Sequence, residues 1–200
     1  MKLIIGEQHT DYAATPTAEE VIEHINEQVT EGFHFSHFIA DGVEVYDEHE
    51  EYLEENLAST EQLEVVIKSE KEFMNDVLLS AEEYLQRANP EVTALAKEFQ
   101  SVPTSDTWEH FDMLLGGTEW LSDMLKIVSN SKERPSNWKV YKDFTGNLHS
   151  ELSKLGKAVE KKKNNEIAKV IKQGILPIFE RLETELGKTI DSEYTRKNLN

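Results

Sequence analysis

The chain contains no cysteine. That absence removes disulfides, thiol nucleophiles and cysteine-rich zinc sites together. Long apolar runs are missing too, and none approaches the ~20 residues that cross a bilayer as a helix. After Met1 and Lys2 come only Leu3, Ile4 and Ile5 before Gly6 and Glu7. Such a stretch is too short for the apolar region of a signal peptide. We therefore expect a cytoplasmic protein with no membrane partner. Sequence signatures of chemistry are equally scarce. There is no Walker A loop, no Gly-x-Gly-x-x-Gly, no His-Glu-x-x-His and no EF-hand spacing. A Gly-x-Ser-x-Gly elbow is also absent. No catalytic residue and no cofactor are nominated.

Basic residues are scarce in one part of the chain. Formal charge is −18 over 200 residues. Residues 1–68 hold 17 Asp and Glu against Lys2 and Lys68, a net −15, and residues 69–200 carry the remaining −3. A step this abrupt predicts two modules with a junction near Lys68 and Ser69. Phosphate backbones are repelled by the first module, which argues against direct nucleic-acid binding. A basic protein partner or plain solubility fits the acidity better.

What the first module does have is short apolar periodicity. Lys2–Glu7 reads as a strand, Gln8–Thr10 as a turn, and Asp11–Thr15 as a weak returning strand. Thr17-Ala-Glu-Glu20 is a capping box that opens a helix running to about Thr30. Glu31-Gly32 ends that helix. Phe33–Ala40 alternates, with Phe33, Phe35, His37 and Ile39 on one face and His34, Ser36, Phe38 and Ala40 on the other. Asp41-Gly42 signals a two-residue hairpin turn into Val43–Tyr46. The acidic run Asp47–Ser59 spaces Tyr52, Leu53 and Leu57 for a short helix, and Gln62–Lys68 is the last strand. The order β-β-α-β-β-α-β resembles the ubiquitin-like β-grasp fold. The resemblance is one of topology and covers residues 1–68. It implies that the first and last strands lie side by side in parallel at the sheet centre. It also implies a module that docks onto partners, without chemistry of its own.

The second module reads as helices. Ser69-Glu-Lys-Glu72 is another capping box, followed by Met74, Val77, Ala81, Tyr84 and Ala88 at 3-4 spacing. Asn89-Pro90 predicts a kink or a fresh start. Asp106 with Glu109 is read as a third cap. Phe111, Leu114, Thr118, Leu121, Leu125 and Val128 form the next stripe. Trp138, Tyr141, Thr145, Leu148, Leu152, Leu155 and Val159 form the cleanest one. The last runs from Ile167 to Leu186, is bent where Pro177 cannot donate to Gln173, and closes at Gly187. Trp108, Trp120 and Trp138 are assigned to core packing. Gly116-Gly117 is read as a kink or a close approach.

The expected fold class is α+β. An acidic β-grasp-like domain over 1–68 precedes an antiparallel helical bundle over 69–187 and a polar tail over 188–200. In outline the bundle resembles small bacterial chaperone and adaptor bundles. Glu20, His24 and Glu27 share a helical face that could hold a metal weakly, but a solvated stripe belongs there. The expected function is that of a non-enzymatic adaptor or chaperone-like interaction protein, with self-association left open. The proposed partner-binding residues are Asp47, Glu48, Glu50, Glu51, Glu54 and Glu55. Two rival readings are an enzyme with a nonlocal carboxylate or histidine site between the modules and an acidic decoy that mimics nucleic acid.

Overall fold

The alternating segments of the first third pair into one five-stranded mixed sheet. The computed structural model describes residues 1–29 and 32–196. Strands β1 (Lys2–Ile5), β2 (Gln8–Asp11), β3 (Phe33–Ala40), β4 (Val43–Val45) and β5 (Gln62–Ser69) alternate with helices α1 (Ala18–Gln28) and α2 (His49–Asn56). The sheet order is β2-β1-β5-β3-β4. β1 and β5 run parallel at its centre, and the other pairs are antiparallel. This is the β-grasp-like topology that the element order implies.

Local chemistry explains the joints. The Thr17 hydroxyl accepts from the Glu20 N–H at 3.2 Å, and the Glu20 carboxylate accepts from the Thr17 N–H at 2.8 Å. Asp41 and Gly42 both take positive φ, as the tight turn requires. The Asp41 carboxylate also accepts from the Gln62 N–H at 2.7 Å, which ties the hairpin to the start of β5. Leu3, Leu63, Val65, Val21 and Leu53 fill the core between sheet and helices. Each such side chain contributes about 1.5–3 kcal/mol when fully buried.

Three details of this unit differ from expectation. The first hairpin turns at Gly6 and Glu7, so Gln8–Asp11 is strand and not turn. Gly6 takes the positive φ of +59° that starts the return immediately. Second, the β3 and β5 register slips between Phe35 and His37. The bulge at Ser36 reverses the alternation, as one extra residue must. Phe35, Phe38 and Ala40 consequently join the core. His37 falls on the other face, where it stacks on Tyr46. Third, the expected end of α1 at Thr30 and Glu31 lies outside the described residues.

The chain divides into two compact units, Met1–Phe73 and Met74–Asn200. The boundary falls inside helix α3 (Glu70–Glu98), because its first turn is held by the sheet unit. There the Glu70 N–H donates to the Gly32 carbonyl at 2.9 Å, and Phe73 stacks on His34 with ring centroids 4.3 Å apart.

The second unit continues α3 and adds α4 (Ser105–Asn130), α5 (Trp138–Glu160), α6 (Asn164–Val170), a π-helical turn (Ile171–Ile175) and α7 (Leu176–Glu193). Side-chain pairs fix an antiparallel arrangement. Glu98 meets His110 and Tyr84 meets Trp120 between α3 and α4. Tyr141 meets Thr189, and Phe144 lies under Arg181, between α5 and α7. Asn89 meets Glu183, and Glu82 meets Gly187, between α3 and α7. The core holds one continuous set of seams that includes Met74, Leu78, Leu85, Leu121, Leu125, Leu148, Phe179 and Leu186. No helix among the described residues is long and apolar enough to cross a membrane.

Here too, several expectations are corrected. No fresh helix starts at Asn89-Pro90, because α3 runs on through Pro90. α4 is capped by Thr104, whose hydroxyl accepts from Thr107, so Asp106 sits in the first turn and caps nothing. The bend around Gly174 takes the form of the π-helical turn, in which the Leu176 N–H reaches back to the Ile171 carbonyl. Pro177 then needs no donor in the first turn of α7. A Cβ at Gly174 would overlap the Glu151 carboxylate. Gly187 does not close the last helix. It makes room for the Glu82 carboxylate, which Arg196 holds at 2.6 Å and 3.0 Å. The polar tail expected over 188–200 is helix as far as Glu193, because Thr189 and Ile190 are buried. Residues 197–200 lie outside the described residues.

Burial pushes the Tyr141 hydroxyl up to about 12, against opposing hydrogen bonds to Thr189 and Asn137. The folded state therefore holds this proton more tightly than the unfolded chain. Stability is complete below pH ~10 and falls as pH rises toward ~12, at up to about 1.4 kcal/mol per pH unit for this group. Absorbance at 295 nm should therefore rise, as Tyr141 ionises, in the same alkaline range in which helical circular dichroism is lost. Tyr141→Phe should weaken the pH dependence. Complete tyrosine ionisation at pH 10 with helices intact would contradict the assignment.

Candidate functional site

The acidic run becomes a surface of the first unit, and α2 decides how. Leu53 and Leu57 are buried under the helix. Their 3.6-residue spacing turns Asp47, Glu48, Glu50, Glu51, Glu54 and Glu55 outward, and all six are exposed. Glu48 sits at the N-cap with φ 50° and ψ 41°; its carbonyl accepts from the Tyr52 N–H at 2.8 Å, but its side chain makes no capping hydrogen bond. A left-handed backbone at such a residue costs about 1–2 kcal/mol. Glu50 and Glu51 lie in the first turn, where the helix dipole favours negative charge. Glu54 and Glu55 lie toward the other end, where the dipole opposes it.

Three of the six acids border a cavity. Glu48, Glu50 and Glu51 rim a groove of about 550 Å³ between α1 and α2. Ile22, Ile25, Phe35 and Phe38 provide its apolar floor. The bulge at Ser36 is what brings both phenylalanines to this face. Asp47, Glu54 and Glu55 lie outside the lining. His49 is a lining residue that sequence reading missed. Its ring meets Phe35 and Phe38 edge-on at 4.8 Å and 5.2 Å, and its Nε2 lies 3.1 Å from the Val45 carbonyl oxygen.

The face carrying Glu20, His24 and Glu27 has other work. Both His24 ring nitrogens are engaged, Nδ1 with the Tyr12 hydroxyl at 3.1 Å and Nε2 with Thr10 at 3.4 Å. Glu20 is the reciprocal half of the α1 cap. Among the described residues, no cluster of three or more His, Asp or Glu side chains is arranged to hold a metal ion.

The second unit carries a surface feature that sequence reading assigned to the core. Trp108 and Trp120 are substantially exposed, and so are Met113, Leu115 and Ile127 on the same helix. The core takes the α4 stripe through Phe111, Leu114, Thr118, Leu121, Leu125 and Val128, with Thr107 and Met124 beside it, most of it within a few per cent of full burial. On the opposite side Met113, Gly116, Trp120, Asp123 and Ile127 repeat the 3-4 spacing and face solvent. Met113 is 72% exposed, Trp120 42% and Ile127 41%. Tyr84 crosses to α4 beside this seam. Its hydroxyl occupies the space a Cβ at Gly117 would need, so Gly117 marks a close approach of helices. Trp138 is half-buried, under the Arg134 guanidinium at 4.3 Å.

Residues 76–185 match a family described as a domain of unknown function, DUF8042. The chain belongs to this family. No curated protein and no solved structure matches the chain. The DUF8042 segment begins inside α3, ends inside α7 and contains all of α4 with its outward seam. It contains none of the acidic groove.

Crowded acids on α2 should cost stability. Glu50 with Glu54 and Glu51 with Glu55 are like charges at i,i+4, each pair unfavourable by about 0.2–0.5 kcal/mol. Replacing Glu54 and Glu55 by Gln should therefore raise the urea midpoint of the first unit, followed through the Leu53 and Leu63 amide resonances. The gain should shrink in roughly 0.5 M salt. A lowered midpoint would mean that these carboxylates support the fold.

Proposed function

We propose that this DUF8042 chain is a non-enzymatic, cytoplasmic interaction protein of the adaptor or chaperone type. Its acidic β-grasp-like unit engages a basic segment of a protein partner. The observation that carries this reading is the groove in which Glu48, Glu50 and Glu51 rim an apolar floor of Ile22, Phe35 and Phe38. Apolar floors give affinity, and a rim of one charge selects the opposite charge and speeds encounter. The net −15 over residues 1–68 extends that preference over the whole unit. Nucleic acid is disfavoured by the same field. The absence of cysteine agrees with a reducing compartment.

The test uses the full chain, immobilised and exposed to an extract of its host. Capture by the wild type is compared with capture by the variant carrying Glu48→Gln, Glu50→Gln and Glu51→Gln. Proteins that depend on the groove should fall by about tenfold in the variant, a loss equivalent to about 1.4 kcal/mol. The same proteins should be lost from the wild type in roughly 0.5 M salt, where the Debye length is only a few ångströms. Identical capture by both proteins at both salt concentrations would contradict the reading.

A further inference from the structure

We infer that the outward seam of α4 is a second docking surface, and that its occupant is a basic amphipathic helix with apolar residues at heptad spacing. This seam shares no residue with the groove on the first unit. Met113, Trp120 and Ile127 are seven residues apart, so they stand in a nearly straight line about 21 Å long. Gly116 and Asp123 complete the 3-4 pattern between them. A 3-4 seam is the pattern by which one helix packs along another. α4 therefore carries two such seams; among the described residues the inner one is buried, while the outer one is covered only in part, where Tyr84 meets Trp120. Beyond its own helix backbone and chain neighbours, nothing lies within 4 Å of where a Cβ would stand on Gly116, which leaves the helix backbone open to close approach.

A groove of about 530 Å³ adjoins the seam between α3 and α4, with Met113 shared between groove and seam. Tyr84, Val92, Leu95 and Leu114 give the groove an apolar wall. A large apolar side chain from a partner helix can be buried there, in the manner of an anchor residue.

Charge decides the kind of helix. Glu109, Asp112, Glu119 and Asp123 lie on or beside the seam and are exposed. Beside them Lys126 donates to Asp123 at 2.7 Å, a bond that raises its pKa, and the adjoining groove adds Glu91 and His110 beside Arg87, so acids outnumber cations around the seam. A second copy would bring acid against acid between two chains of net −18. An anionic lipid surface would be repelled in the same way. A helix flanked by Lys or Arg satisfies both the apolar line and its acidic borders.

The probe is a synthetic Leu/Lys peptide of about three heptads with Leu in a 3-4 repeat. An isomer of equal composition with Leu at alternate positions serves as control. Both are fluorescently labelled and titrated with full-length protein. The heptad peptide should bind at least about tenfold more tightly than its isomer. Met113→Lys combined with Ile127→Lys should remove that advantage while circular dichroism stays unchanged. Should that variant misfold, Asp112→Asn with Glu119→Gln, which leaves the apolar line intact, should still weaken binding severalfold at low salt. The variant with Glu48→Gln, Glu50→Gln and Glu51→Gln should retain the heptad preference. Loss of binding in that variant but not in the α4 variants would place the peptide on the first unit and overturn the α4 inference alone. Equal binding of both peptides would reduce the effect to bulk acidity and overturn it too. A concentration-dependent dimer in ultracentrifugation that Met113→Lys abolishes would overturn it in favour of self-pairing. Binding to anionic vesicles through the same residues would overturn it in favour of a lipid surface.

Discussion

Burial of the 3-4 seams around one axis is the constraint on which the second unit depends. Each long helix gives one stripe to the common core, and the antiparallel pairs Glu98 with His110 and Tyr141 with Thr189 set their relative direction. Once Phe111, Leu114, Leu121, Leu125 and Val128 are turned inward, helical periodicity leaves no freedom for Met113, Trp120 and Ile127. They must face outward. A helix that turns a second apolar line mostly to water lowers its solubility, although Trp120 on that line also packs against Tyr84. On the proposal above, a partner covers the rest of the line.

The first unit follows the opposite design. Its exposed surface is dominated by acid, and its apolar groove exists because a bulge in β3 moved Phe35 and Phe38 onto one face beside His49. Apolar contact and charge selection are combined in the groove, as they are on α4, but with different elements and on different units. Under the proposals above, each unit offers its own surface for a basic segment.

Much of this was legible in the sequence. The element order, the caps at Thr17 and Ser69 and the Asp41-Gly42 turn follow from local residue chemistry, and the structure repeats them. The bulge was not legible, because a strand of alternating Phe and His reads the same in either phase and Ser36 alone gives no signal. The α4 surface was partly legible. Met113, Gly116, Trp120, Asp123 and Ile127 form a second 3-4 pattern, but Gly116 and Asp123 break its apolar character, and tryptophan counts as core by default. The extension of α7 beyond Gly187 was hidden by polar composition. Thr189 is buried through hydrogen bonds to Tyr141 and Asn137, and Arg196 is held by Glu82. Such long-range pairings leave no trace in a local window.

The central claim is that the outer seam of α4 stands open in the free chain and is closed by a partner. Methionine oxidation followed by mass spectrometry reads this directly, because Met113 is 72% exposed while Met74 and Met124 are buried at 0% and 3%. In the free full-length protein, Met113 should oxidise rapidly and Met74 and Met124 slowly. Addition of a basic heptad peptide should slow Met113 toward the rate of the buried pair. A free protein in which Met113 is as protected as Met74 would contradict the account, since its seam would already be covered.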